Sequence, residues 1–190
     1  MKNIVSFNFE QFQALLLQLK ASRIDRQKAA AYIKKHPKAL LRLIDWALTP
    51  KRKRLHQVAA WVLEFVLIEK ISWLQPHFDL FLRKLPKVES ESSKRPLSKI
   101  LYYYIRSKTH YDQLSPKQKK KIIALCFDWI LLPSKTATLA FAIKILMLLQ
   151  KNILGLPKIF NIIFKIRCPI LPLGYVQVCD PFLKNDFGSL

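Results

Sequence analysis

The chain has 190 residues, 51% of them hydrophobic, with only 3 Gly against 11 Pro. That composition suits one domain or a short repeat array, excludes global disorder, and leaves no Gly-rich phosphate loop of the Rossmann or P-loop kind. With 33 Lys+Arg against 12 Asp+Glu the formal net charge is +21, so the expected partners are polyanions: nucleic acid, an anionic membrane or an acidic protein.

Phe9, Phe12, Leu15, Leu16 and Leu19 follow helical spacing and predict a first helix to about Lys20. Ser22 can cap the next helix, whose Ala29, Ala30 and Ala31 permit close packing, and His36-Pro37 ends it. Pro37 suits the first position of a helix over 37–48, where a missing N–H costs nothing. Thr49-Pro50 reads as a cap followed by Pro at the first helical position of a partner helix. Over 58–68 the only charge is Glu64, which predicts a helix sandwiched between neighbours. Phe78, Phe81, Leu82 and Leu85 make one apolar face, closed by Pro86. The run 87–95, with Glu89-Ser90-Glu91-Ser92-Ser93, reads as an exposed loop. Leu97, Ile100, Leu101, Tyr104 and Ile105 make a second face.

Ser115-Pro116 repeats the cap-then-Pro device, opening a helix with Ile122, Ile123, Leu125, Cys126 and Trp129 on its apolar face. Pro133-Ser134 turns into a helix to about Gln150, and Leu156-Pro157 begins another with Ile159, Phe160, Ile163 and Phe164. After Arg167 the helical period stops. Pro169, Pro172, Gly174, Pro181 and Gly188 mark an extended tail over 168–190. Its Ile170, Leu171, Leu173, Tyr175 and Val176 could cover the last helix in place of a terminal capping repeat.

Part of this pattern occurs twice. Leu-Ile-Asp-Trp-Ala-Leu-Thr-Pro ends at Pro50 and Cys-Phe-Asp-Trp-Ile-Leu-Leu-Pro ends at Pro133. Asp45-Trp46 and Asp128-Trp129 are 83 positions apart, as are the two prolines, and the same register sets Ile44 on Phe127, Ala59 on Ala142, Val62 on Ile145, Leu63 on Leu146 and Val66 on Leu149. Each copy reads as apolar helix, turn, apolar helix, and the Phe78–Ile105 region between them supplies the unit that a period of about 40 residues requires.

Paired helices at this spacing, with Pro at the turn, resemble HEAT-like repeats, and the run 29–151 looks like the small HEAT-like α-solenoid proteins of bacteria. The resemblance implies an all-α solenoid over 1–167, and the gap-free repeat with no alternating strand pattern predicts about five antiparallel pairs or fewer; the tail departs from it. Alkylpurine DNA glycosylases of the AlkD type are a more distant comparison, with a basic concave face, aromatic residues and an essential Asp beside the DNA. Asp45-Trp46 and Asp128-Trp129 offer those residue types here. Their plainer reading is structural: a Trp at one place in two repeats fills the core, and the Asp beside it serves backbone at the helix end. The long bundle helices and Met-Pro-containing signature loop of the fumarase and adenylosuccinate lyase class are absent.

The basic residues carry the functional expectation. Lys51-Arg52-Lys53-Arg54 follows Pro50, and Lys117, Lys119, Lys120 and Lys121 follow Pro116. Cations at a helix start are disfavoured by roughly 0.3–1 kcal/mol each, a cost that bound anions would offset. The second helix of each HEAT pair usually lines the concave side. Those helices would contribute Arg52, Lys53 and Arg54, then Lys94, Arg95, Lys99 and Arg106, then Lys135 and Lys144, a groove suited to following a phosphate backbone without reading bases. Of Tyr102, Tyr103 and Tyr104, helical geometry lets only one present a ring to it. The expected function is therefore a non-enzymatic scaffold binding nucleic acid, with an adaptor for an acidic protein and a glycosylase-like repair enzyme as alternatives.

No cofactor is implied. Cys126, Cys168 and Cys179 show no CxxC, and His36, His56, His77 and His110 lack ligand spacing. The first 18 residues hold Lys2, Glu10 and several amides, unlike a signal peptide, and no apolar run reaches the ~18 residues of a spanning helix. A cytoplasmic setting is the expectation.

Overall fold

The computed structural model describes residues 8–150 apart from 21, 52 and 133. The expected helix from Leu156, the tail over 168–190, and Arg52 lie outside the described residues. Within them every regular element is helical: α1 Phe9–Gln18, α2 Arg23–Lys35, α3 Leu40–Ala47, α4 Lys53–Glu69, α5 Phe78–Lys84, α6 Glu91–Arg106, α7 Lys108–Asp112, α8 Pro116–Leu131 and α9 Thr136–Gln150, with short 3-10 turns before α3, before α5 and after α5. No described helix is long and apolar enough to cross a membrane.

Local chemistry explains the starts of α1, α2 and α8. Asn8 Oδ1 accepts from the N–H groups of Glu10 and Gln11, and Ser22 Oγ from that of Asp25, so α1 and α2 are capped by side chains. A capping box opens α8: Ser115 Oγ accepts from Gln118 N at 3.2 Å, while Gln118 Oε1 accepts from Ser115 N at 2.8 Å. Gln118 Nε2 also donates to Asp79 Oδ1 and ties this cap to α5.

Three expectations shift. Pro37 opens a 3-10 turn, Pro37–Ala39, and α3 follows it. Pro50 is not the first residue of α4, which begins at Lys53, so Lys51 lies just before the helix rather than in its first turn. The run 87–95 is only partly a loop, since α6 starts at Glu91, with Val88 and Ser93 buried. Glu91 explains that order. Its carboxylate pairs with Lys94 at 3.1 Å and accepts from Lys135 N at 2.9 Å and Thr138 Oγ1 at 3.3 Å, placing a negative charge where α9 begins.

Packing centres on α4, which touches α1, α2, α3 and α6; Val58, Ala59, Ala60, Val62, Leu63, Val66 and Leu67 are all buried. Apolar residues on nearly every side of one helix leave it no stable place except among other helices. Contacts then run α2 to α4, α4 to α6 and α6 to α9, while α3 packs on α4 and α8 on α9. Trp46 and Trp129 are 6% and 4% exposed, so both are core residues; Trp46 stacks near Phe12 with ring centroids 6.1 Å apart. Tyr104 is buried against Phe78, rings 4.1 Å apart and nearly parallel, and burial, with Asp79 nearby, pushes its pKa up to about 12.

Candidate polyanion-binding face

Polar residues of α2, α4 and α6 meet around one groove, and α6 also meets α9 through Tyr102. Trp61 of α4 donates its indole N–H to the Ser92 carbonyl of α6 at 3.0 Å. That carbonyl is available because Pro96, four residues on, has no N–H to offer it. Over the same indole ring stand two guanidinium groups, Arg26 at 4.4 Å from the centroid and Arg54 at 5.6 Å. Arg54 also donates to the Leu19 carbonyl at 2.5 Å.

Beside this stack, Arg23, Arg26 and Gln27 of α2, Glu64, Phe65, Ile68 and Glu69 of α4, and Arg95 and Lys99 of α6 line a groove of about 440 Å³. Four cationic side chains face two carboxylates there. Glu64, with 13% of its side chain exposed, pairs with Lys99 at 2.7 Å, and Glu69 pairs with Lys34 at 2.5 Å. Burial lowers the Arg26 pKa; Glu64 works against that shift and Arg95 adds to it. A guanidinium brought close to another while partly stripped of water is an arrangement that an anion would stabilise.

Farther along α6, Tyr102 packs against Phe141 of α9 with ring centroids 5.8 Å apart, and the Lys144 ammonium lies 5.9 Å from the first ring and 5.8 Å from the second. Tyr103 meets Tyr102 edge to face, while Tyr104 points into the core, so the three rings do diverge.

The nine residues expected to form the site divide unevenly. Arg95 and Lys99 line the groove, Arg54 stands over Trp61 and Lys144 beside Tyr102. Arg106 is exposed at the end of α6. Lys94 is turned to Glu91 on its own helix. Lys135 is exposed just before α9, with its backbone N–H held by Glu91. Lys53 is the first residue of α4, and Arg52 lies outside the described residues.

Sequence reasoning missed Arg23 and Arg26, because the basic residues expected at the face come only from the second helices of pairs, the first of them starting after Pro50. They share the stripe of α2 that buries Ala29, Ala30 and Ile33, at i, i+3, i+7 and i+10, and that spacing is the signal that would have found them. It also missed Trp61, whose apolar surroundings on α4 disguise a ring shared between cations.

The Asp-Trp pairs lie elsewhere. Asp45 is paired with Lys84 of α5 at 2.6 Å and borders a separate pocket of about 370 Å³ with Phe9, Glu10, Arg42 and Trp46. Asp128 is exposed on α8, and neither Asp lines the groove. Among the described residues, no three His, Cys, Asp or Glu are grouped so as to hold a metal ion. Cys126 is fully buried, and burial raises its thiol pKa well above the ordinary value, which disfavours the reactive thiolate. No family model, curated protein or solved structure matches this chain.

Proposed function

We propose that this chain is a non-enzymatic, HEAT-like helical scaffold that binds nucleic acid through the face made by α2, α4, α6 and α9. The observation that carries the reading is the convergence of Arg23, Arg26, Arg95 and Lys99 on one groove, beside a Trp61 ring that already holds two guanidinium groups. The net charge of +21 supplies the long-range attraction. Succession of α2, α4, α6 and α9, each against the next, with α3 on α4 and α8 on α9, supports the two-layered repeat. The separation of Asp45 and Asp128 from the groove favours a scaffold over a repair enzyme.

Binding through phosphates should be weakly sequence-specific and should fall steeply with salt, by a slope of about −0.9 per phosphate contact on duplex DNA. Anisotropy titrations of labelled DNA and RNA across a salt series measure that slope. Replacing Arg26, Arg95 and Lys99 together with Gln should flatten it by roughly two to three units if each neutralises one phosphate. An unchanged slope refutes the groove assignment. Failure of the wild-type protein to bind any nucleic acid at low salt replaces this reading with the adaptor for an acidic protein.

A further inference from the structure

The basic face also carries an aromatic station. Arg95, Lys99, Tyr102 and Arg106 stand at i, i+4, i+7 and i+11 of α6, which puts them on one stripe of that helix. At ~1.5 Å per residue the stripe is roughly 16 Å long. Tyr102 is half-buried beside Phe141, and Lys144 reaches both rings at just under 6 Å. One side of this ring is thus fixed by packing on α9, which limits its rotation, and a cation is already in place for a neighbouring phosphate.

Duplex and single strand would use this surface differently. A duplex keeps its base faces stacked and offers mainly phosphates. A single strand offers phosphates and free base faces together, and binding proteins take it with a basic track interleaved with aromatic rings. The groove beside Arg95 and Lys99, about 440 Å³, is in the range that encloses a small-molecule-sized group and is too small to enclose a duplex.

We infer that this face takes single-stranded nucleic acid in preference to duplex, with phosphates on Arg95, Lys99 and Arg106 and a base against Tyr102 beside Lys144. The inference rests on the polyanion reading above and narrows it. Contacts through phosphate and base do not involve the sugar, so DNA and RNA strands should bind alike.

The test uses the full chain at low salt with labelled oligo(dT), oligo(U) of equal length, and a duplex of the same number of nucleotides. Both single strands should bind at least about tenfold tighter than the duplex. Tyr102→Leu keeps an apolar side chain on Phe141 but removes the ring; it should weaken single-strand binding about five- to hundredfold, the range for loss of one base–aromatic stack, and leave duplex binding within about twofold. Tyr102→Phe should retain single-strand binding. Equal or tighter duplex binding, or a Tyr102→Leu effect of the same size on both, overturns the preference while leaving polyanion binding intact. No binding of any of the three overturns both readings. Circular dichroism checks the fold of Tyr102→Leu; should it be lost, Lys144→Gln decides, since unchanged single-strand affinity in that variant overturns the inference.

Discussion

The two stretches related by the 83-residue register agree at several inner positions and differ outside. Between α3–α4 and α8–α9, positions 83 apart pair Ala59 with Ala142, Val62 with Ile145, Leu63 with Leu146 and Val66 with Leu149, and all eight are fully buried. The same register on the polar side of the second helix pairs Arg54 with Ala137, Gln57 with Ala140, Trp61 with Lys144 and Glu64 with Met147. Buried positions must fill a limited space at high density, which favours apolar residues; the match is not complete, since the same register pairs Leu55 with Thr138 and Ala60 with Ile143, all four buried. Outward positions answer to whatever each stretch meets: α1, α2, α3 and α6 around α4, but α6 and α8 around α9 among the described residues. The groove and the cations of Trp61 therefore belong to α4 and its neighbours, and the Tyr102 station to α6 and α9. What differs between the copies is the part with chemistry.

The largest expected effect tests the inner agreement. Trp46→Ala and Trp129→Ala should each destabilise the fold by about 3–5 kcal/mol in urea titrations, because each empties a buried site. A neutral substitution at one of them would break the equivalence of the copies. Next in size is the start of α9. Glu91→Ala should cost about 1–3 kcal/mol, since its carboxylate takes the Lys135 N–H and the Thr138 hydroxyl at the start of the helix. An unchanged urea midpoint would mean that the contact contributes nothing to stability.

A third prediction uses pH. His56 of α4 corresponds to Leu139 of α9. The imidazole is buried and burial lowers its pKa below the ordinary 6.5, with the Trp46 and Ala47 backbones opposing the shift, so the native state holds it neutral. The unfolded chain then binds more protons in acid. This contribution is complete above about pH 6.5 and is lost as the pH falls below it. His110, also lowered by burial, acts with the same sign. Installing the other copy's residue, His56→Leu, should make stability fall less steeply between about pH 7 and pH 5. Parallel curves for variant and wild type would refute the assignment. The smallest effect concerns the Asp beside each Trp. Asp45→Asn breaks a partly exposed pair with Lys84 and should cost no more than about 1 kcal/mol, while Asp128→Asn, exposed, should cost nothing measurable. A larger loss at Asp128 than at Asp45 would reverse the assignment of roles.

Legibility in the sequence followed the range of the interactions. Helical period located α1, α2, α4, α8 and α9 to within a few residues, because amphipathic spacing and the caps at Ser22 and Ser115 act within one or two turns. The start of α6 was misread for the opposite reason. Glu89-Ser90-Glu91-Ser92-Ser93 looks like a loop until Glu91 meets the backbone of Lys135, a partner 44 positions away. The site was legible by residue type and only partly by position. Arg95, Lys99 and Lys144 could be named from the repeat, but Lys94 and Glu91 satisfy each other, and Arg26 enters from a helix outside the repeat register.

Composition and periodicity, by themselves, determined that the chain is helical and strongly basic, and that two stretches bury the same apolar residues. Those properties are carried by single residues and by neighbours three or four positions apart. Only the tertiary structure decided which charges stand together. Arg26, Trp61 and Arg95 come from three helices, and the Ser92 carbonyl that anchors Trp61 is free only because Pro96 leaves it so. Contacts across helices, such as Arg26 over Trp61 at 4.4 Å and Trp61 to the Ser92 carbonyl at 3.0 Å, join residues more than 30 positions apart, and no local pattern encodes such a distance until the helices are packed.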